Sequence, residues 1–359
     1  GLGNRIGFKM RADKTTHEMF QPMYGSIVLE MVSDSPAGEI LGETTKEYVF
    51  EACGEKLDMA QLQEIWEGKL EPVYPYRKAG PTVEKINGSL TAPAALKIGV
   101  AKPKVIIPVF PGTNCEYDTA KAFARAGADP EILVVRNLTP ADVAESCEAL
   151  VKAIDASQIV MLPGGFSGGD EPDGSAKFIA SFFRNPEVTE AVRRLLQQRD
   201  GLMLGICNGF QALIKLGLVP YGEIRTIRED DPTLTYNTIG RHQSMLVRTR
   251  VASTGSPWLS HCDAGSEYEI AISHGEGRFV ANDEVLAQLI ANGQVATQYV
   301  GENGKPSMDL SVNPNGSALA IEGITSPDGR VLGKMGHAER RGDNLYRNVP
   351  EHVPGDKFM

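Results

Sequence analysis

Leu204-Gly205-Ile206-Cys207-Asn208-Gly209-Phe210-Gln211 joins an apolar run, Gly201–Ile206 (GLMLGI), to the start of a helical pattern. Two glycines flank one cysteine at a strand-to-helix turn, the arrangement of a nucleophile elbow with sulfur in place of oxygen. Flanking glycines relieve the crowding of such a strained turn. The following helix aims its N-terminus at the sulfur, which favours thiolate over thiol. Its unpaired N–H groups suit an oxyanion. A lone cysteine is more often a buried apolar residue. The G-x-C-x-G context shifts the balance towards a nucleophile.

Outward from the elbow, strands and helices alternate. Val105–Phe110 (VIIPVF), Glu131–Arg136 (EILVVR) and Gln158–Leu162 read as short buried strands. Helical stretches separate them, the first from about Asn114 to Gly127. Thr139 caps a second, with Pro140 at its first position and Val143, Cys147, Leu150 and Ile154 as its apolar stripe. Asn185-Pro186 opens a third with Val188, Val192 and Leu195 inward, and a fourth runs from Asn208 to near Gly217. This rhythm predicts βαβ units and a largely parallel sheet, with a β-rich portion beyond Arg241.

A cysteine nucleophile needs a base, and the base an orienting group. Of six histidines, His337 stands out, because an apolar strand ends at Met335, Gly336 turns the chain, and Glu339 follows two residues later. Alone, H-x-E reads as a solvated surface pair; beside a cysteine elbow it becomes a candidate base and its orienter. Pro163–Asp170 (PGGFSGGD) follows the third strand. It lacks the G-K-[ST] and G-x-G-x-x-G patterns of phosphate cradles. It reads as a turn beside the elbow, with Gly164 or Gly165 lending an N–H to an oxyanion, or else as a plain loop. His274, in Ile272–Phe279 (ISHGEGRF), either lines the same cleft or is a structural histidine. Cys147 reads as core, and Cys53, Cys115 and Cys262 have no nucleophile context.

Composition narrows the class. The 359 residues are 42% hydrophobic and 23% charged, average for globular domains. Lys and Arg number 36 against 46 Asp and Glu, a net charge of −10, which opposes a general nucleic-acid or anionic-membrane binder. No apolar run reaches the length of a membrane span. Five widely spaced cysteines without a C-x-x-C pair read as reduced thiols of a cytoplasmic protein. Near the N-terminus, Ser26–Met31 and Lys46–Glu51 read as strands. Asp58 reads as the cap of a helix with Met59, Leu62, Ile65 and Trp66 on one face. Arg77–Pro103, carrying Gly80, Pro81, Asn87, Gly88, Ser89, Pro93 and Pro103, reads as a linker.

Gly205–Gln211, with Gly164-Gly165-Phe166-Ser167 upstream and His337-Ala338-Glu339 downstream, resembles the triad glutamine amidotransferases. The likeness is strongest to the glutaminase domain of the phosphoribosylformylglycinamidine synthase family. It runs from about Val105 to the C-terminus, taking in Ile272–Phe279, Asn313–Ser317 and Gly342–Tyr346. It implies an α/β fold: a flavodoxin-like parallel sheet flanked by helices with a β-rich C-terminal portion, preceded by a partial α+β segment. It further implies hydrolysis of glutamine to glutamate and ammonia through a thioester on Cys207. His337 would act as base and then acid, and Glu339 would orient it. Gly165 and Asn208 would supply oxyanion N–H groups, and Gln211 would shape the glutamine pocket.

No metal or cofactor is implied in this part. ATP and Mg²⁺ are expected in a synthetase domain of the same polypeptide, where the ammonia converts formylglycinamide ribonucleotide to its amidine in purine biosynthesis. Residues 1–76 then read as the tail of that ATP-binding-module-like domain, 77–103 as the linker and 104–359 as the amidotransferase domain. Glutamine and the synthetase domain are the expected partners, with no nucleic acid and no membrane. One departure stands out: the family's histidine often sits in P-H-P-E, here Gly336-His337-Ala338-Glu339. Two rival readings remain. A related flavodoxin-like cysteine hydrolase usually places histidine directly after the cysteine, where this chain has Asn208. Against an inactive docking module stand the intact Cys207, His337 and Glu339.

Overall fold

The computed structural model describes residues 3, 5–33, 38–73, 78–88, 99–166, 176–342 and 345–346. Ser89, Pro93 and Ser167–Asp170, singled out above, lie outside them. The chain divides into two units, Gly1–Pro75 and Tyr76–Met359.

The first unit is a small α+β piece. Strands β1 (Gly7–Met10), β2 (Gly42–Thr45), β3 (Val49–Ala52) and β4 (Glu55–Asp58) form a sheet of order β2-β1-β3-β4, with helices α1 (Thr16–Met19) and α2 (Met59–Gly68). Asp58 caps α2 as its sequence position predicts, accepting from the N–H groups of Ala60 at 2.8 Å and Gln61 at 3.2 Å. Of the two strands expected here, Lys46–Glu51 is strand only from Val49, and the other fails. Ser26–Met31 is irregular chain without strand pairing. The Leu62, Ile65 and Trp66 stripe of α2 is exposed, and Ile27, Val28, Leu29, Met31 and Val32 are exposed with it. Alternation and helical spacing create an apolar face, but a face is buried only where a second layer covers it.

The second unit carries the alternating pattern. Strand β5 (Lys104–Val109) leads to α3 (Glu116–Arg125), and β6 (Asp129–Val134) to α4 (Pro140–Ala156). Strand β7 (Ile159–Leu162) precedes α5 (Lys177–Phe183) and α6 (Pro186–Gln198), and β8 (Leu202–Ile206) runs into α7 (Asn208–Leu216). The caps do what the sequence indicates. The Thr139 side chain accepts from Asp142 N–H at 3.1 Å, and Asn185 from Glu187 N–H at 2.9 Å. Gly217 ends α7 with φ 84°, a conformation that favours glycine. Cys147, Leu150 and Ile154 of α4 and Val188, Val192 and Leu195 of α6 are buried. Fully burying such side chains stabilises by about 1.5–3 kcal/mol each.

After the short α8 (Leu218–Tyr221) come β9 (Thr233–Tyr236), β10 (Gln243–Val251), β11 (Glu267–His274) and β12 (Glu276–Val280). Helix α9 (Asp283–Ala291) and strands β13 (Val295–Val300), β14 (Ile321–Thr325) and β15 (Val331–Lys334) complete the unit. One sheet has the order β11-β10-β13-β14-β15-β8-β7-β5-β6. Its β6-β5-β7-β8-β15 half is parallel and has the flavodoxin-like order, 2-1-3-4-5. Most of the β-rich portion extends the same sheet antiparallel through β14, β13, β10 and β11, while β12 pairs with β9 in a separate two-stranded sheet.

Residues 78–88, within the expected linker, lie as a strap on the second unit. Val83 N–H donates to Pro306 O at 3.0 Å, and Ile86 N–H to Gln298 Oε1 at 2.8 Å. Arg250 Nη1 donates to the Ile86 carbonyl at 2.9 Å, and Ile86 is buried. Gly and Pro content marks irregular backbone; it does not say whether that backbone finds partners.

Candidate active site

In open α/β sheets, loops at the carboxyl ends of strands converge where the strand order reverses. Here the loops after β5 and β7 leave that point, and β8 and β15 are the next strands along. Strand β8 is buried throughout and delivers Cys207 at its end with φ 53° and ψ −107°. This is the left-handed side of the backbone map, strained for a residue with a Cβ. The turn closes because Gly205 and Gly209 lack side chains. A Cβ on Gly209 would lie 1.9 Å from Leu162 O, and one on Gly205 would lie 2.6 Å from Gly209 O. Helix α7 starts at once, with Gln211 N–H donating to Cys207 O at 3.0 Å. The thiol donates to Ser273 O at 3.8 Å.

Strand β15 pairs in parallel with β8, Lys334 lying opposite Ile206, so His337 follows the neighbouring strand at the same edge. His337 Nδ1 lies 2.6 Å from Glu339 Oε1, and both residues are buried. Burial disfavours the imidazolium. The Glu339 charge and hydrogen bonds with Cys115, Cys207 and Glu339 outweigh it and hold the His337 pKa well above its ordinary value. With Nδ1 turned to Glu339, Nε2 is the proton carrier left for the thiol.

Gly164 forms the floor: a Cβ there would lie 2.8 Å from His337 Cε1, 3.0 Å from Cys115 Sγ and 3.5 Å from Cys207 Cβ. Gly165, φ 143°, pairs with Thr113. That pairing's hydrogen bonds run from Asn114 N–H to Gly164 O and from Phe166 N–H to Gly112 O, so it does not consume the Gly165 N–H. Asn208 and Gln211 are buried and bonded together, Asn208 Nδ2 donating to Gln211 Oε1 at 2.9 Å. Gln211 Nε2 donates to the Glu276 carbonyl. The Gln211 amide is thus held by the protein on both of its polar atoms. His274 is buried with neither ring nitrogen hydrogen-bonded. Burial, then the His337 and His242 charges, push its pKa down to about 3.

The structure also brings in residues that the sequence reading left out. Cys115 Sγ lies 3.9 Å from His337 Nδ1 and accepts from Arg340 Nη2 at 3.3 Å. Donor atoms of Cys115, His337 and Glu339 lie within 4.8 Å of one another, a spacing that could hold a metal ion. The same Nδ1 and carboxylate share a 2.6 Å hydrogen bond and a guanidinium faces the sulfur, an arrangement suited to handling protons. The signal for Cys115 was topological: it lies in the loop after β5, beside the reversal point, a position that local spacing does not reveal.

Known proteins resemble this chain over its second unit. Residues 102–357 match the CobB/CobQ-like glutamine amidotransferase domain. The phosphoribosylformylglycinamidine synthase subunit PurQ of Rubrobacter xylanophilus is 36% identical over 242 residues, 67% of this chain and 91% of that protein. Its counterpart from Symbiobacterium thermophilum is 34% identical over 261 residues, 69% of this chain and 96% of that protein. Among solved structures, that of PurLQS from Thermotoga maritima superposes with a TM-score of 0.51 at 26% identity, covering 72% of this chain and 95% of the matched one. The chain therefore belongs to the CobB/CobQ-like glutamine amidotransferase family.

Proposed function

We propose that the chain hydrolyses glutamine to glutamate and ammonia, and that the ammonia serves the synthesis of formylglycinamidine ribonucleotide in purine biosynthesis. The observation that carries this reading is that Cys207 and His337 leave adjacent parallel strands at one edge, with Glu339 2.6 Å from His337. His337 Nε2 takes the Cys207 proton as sulfur attacks the side-chain amide carbon. The resulting oxyanion meets the N–H groups of Gly165 and Asn208. Collapse breaks the C–N bond while imidazolium returns the proton to the leaving nitrogen, giving ammonia and a glutamyl thioester. Water, deprotonated by His337, then attacks the thioester to release glutamate and the thiol. Glu339 holds the ring and stabilises imidazolium. His274 and Gln211 shape the glutamine pocket.

That the relatives are subunits of phosphoribosylformylglycinamidine synthase supports a synthetase partner for this chain. ATP and Mg²⁺ belong to that partner's chemistry. The exposed apolar residues of the first unit fit a piece of such a synthetase domain, covered by the remainder of its core. No helix among the described residues is long and apolar enough to cross a membrane. A cytoplasmic location follows from the proposed pathway.

The test is ammonia release from glutamine together with covalent labelling by a glutamine-like electrophile. Wild-type protein should do both. Cys207→Ala should do neither while keeping its thermal transition. Unchanged ammonia release from that variant overturns the assignment.

A further inference from the structure

Two charged side chains are buried directly behind the histidine: Lys334, at the end of β15, and Glu322, on β14, are 2% and 0% exposed. Their charged atoms lie 3.4 Å apart. A buried ion pair is weak evidence for stability, since apolar residues of similar volume often serve the fold as well. The hydrogen bonds of this pair show another use. Glu322 Oε1 accepts from Gly336 N–H at 2.6 Å, and Lys334 Nζ donates to Gly336 O at 2.9 Å. The second carboxylate oxygen accepts from Thr297 Oγ1, which fixes the carboxylate from β13. On the next residue, His337 N–H donates to Ala271 O at 2.9 Å. Three consecutive polar groups of the backbone entering His337 are therefore held, two of them by this pair.

Glycine at 336 makes such a grip necessary. It has the widest conformational freedom of any residue and stands directly before the base. Space confines it as well, since a Cβ there would lie 2.1 Å from Ile270 Cδ1. We infer that Lys334 and Glu322 are positioning residues that clamp the Gly336 peptide from both of its polar atoms and so set the orientation of the His337 imidazole. The inference rests on His337 being the base of the proposed glutaminase. Both side chains are buried and act through the Gly336 backbone. An error of about 1 Å at a catalytic group can cost roughly a hundredfold in rate, which is the scale such a clamp protects against.

The experiment uses the full chain and two neutral double variants. Lys334→Met with Glu322→Leu removes both charges and both bonds to Gly336, leaving no orphaned ion. Lys334→Met with Glu322→Gln keeps an acceptor for the Gly336 N–H in the original shape. The first should still fold, with a lowered thermal transition, yet at temperatures well below that transition lose roughly tenfold to a hundredfold in kcat, with KM within about twofold. Its low-field proton resonance from the His337–Glu339 hydrogen bond should broaden or move. The second should fall between it and wild type in both readouts. A purely structural role predicts that kcat and the resonance follow the thermal transition. Wild-type kcat and an unmoved resonance in the Leu-containing variant overturn the inference. Should that variant fail to fold, wild-type values of both in the Gln-containing variant overturn it. If wild-type protein releases no ammonia, the glutaminase reading fails, and the resonance still decides whether the clamp exists.

Discussion

The Cys207 N–H donates to the Lys334 carbonyl at 2.9 Å. One strand end thus holds the backbone of the proposed nucleophile while the chain continues three residues to the proposed base, His337. The separation of sulfur and imidazole is set by neighbouring parallel strands, which lie about 4.8 Å apart, with no long loop between sheet and either residue. Sites on regular elements hold their geometry more tightly than sites on loops.

The triad members should differ in cost. His337→Ala removes the proton carrier and should lower the glutaminase rate by roughly a thousandfold or more. Glu339→Ala leaves an unoriented ring and should cost on the order of a hundredfold. Glu339→Gln should be milder still, because an amide can hold the ring without the charge that stabilises imidazolium. Rates at saturating glutamine rank the three. Near-wild-type rates in all would move the base elsewhere, with His274 the first residue to substitute.

Two glycines should fail in different ways. In Gly209→Ala the new methyl meets backbone oxygen at 1.9 Å, and the elbow cannot form without moving β7. The expected result is a large loss of thermal stability. In Gly164→Ala the nearest atoms are the His337 ring and the Cys115 thiol, side chains that can shift. Folding should survive while the rate drops at least tenfold, as expected for a displaced base. Calorimetry and ammonia release on the same samples separate the two. Equal thermal transitions would contradict the contacts.

Acid should expose His274. Its native pKa is depressed to about 3, so between there and the ordinary histidine value the unfolded chain holds a proton that the native ring does not. The ring's contribution is complete above the ordinary value and is lost as pH falls through that window, by up to about 1.4 kcal/mol per pH unit. His337 has a raised pKa, so its contribution is complete below the ordinary value and is lost only as pH rises through the raised one. Urea unfolding of wild type and His274→Gln at pH 4.5 to 7 gives the difference. The wild-type advantage should shrink on acidification, and parallel curves would refute the assignment.

Truncation should locate the edge of the second unit. A chain starting at residue 78 keeps the strap. One starting at residue 102 removes the strap's bonds to the Gln298 Oε1 and to the Arg250 guanidinium, both residues being buried in the sheet extension. Unsatisfied buried polar groups cost about 1–3 kcal/mol each. The shorter chain should therefore melt roughly 10 °C lower. Equal melting of the two would return residues 78–88 to the status of a linker.

The parallel half of the sheet was legible because its signals are local. Caps at Thr139 and Asn185, the Gly217 stop and the apolar stripes all act within a few residues. The elbow was legible for the same reason, since Gly205 and Gly209 lie within two residues of Cys207. Cys115, Glu322 and Lys334 were not, because their meaning depends on which strands become neighbours. Glu322 and Lys334 acquire theirs only when β14 and β15 pair and bring a carboxylate to the Gly336 amide. The exposed stripe of α2 marks the opposite limit: spacing foretold the helix and its apolar face, but not whether the unit contains a surface to cover it.

The backbone at Cys207, φ 53° and ψ −107°, puts stability and activity in opposition at one position. A residue with a Cβ there costs roughly 1–3 kcal/mol, whereas glycine adopts such angles at ease. The proposed nucleophile thus stands on a strained residue. A library sorted only for yield or melting temperature would drift at this position towards glycine and enrich chains that fold better and do no chemistry. Any attempt to toughen this protein by selection has to score turnover alongside folding, because at residue 207 improvement in one is purchased with the other.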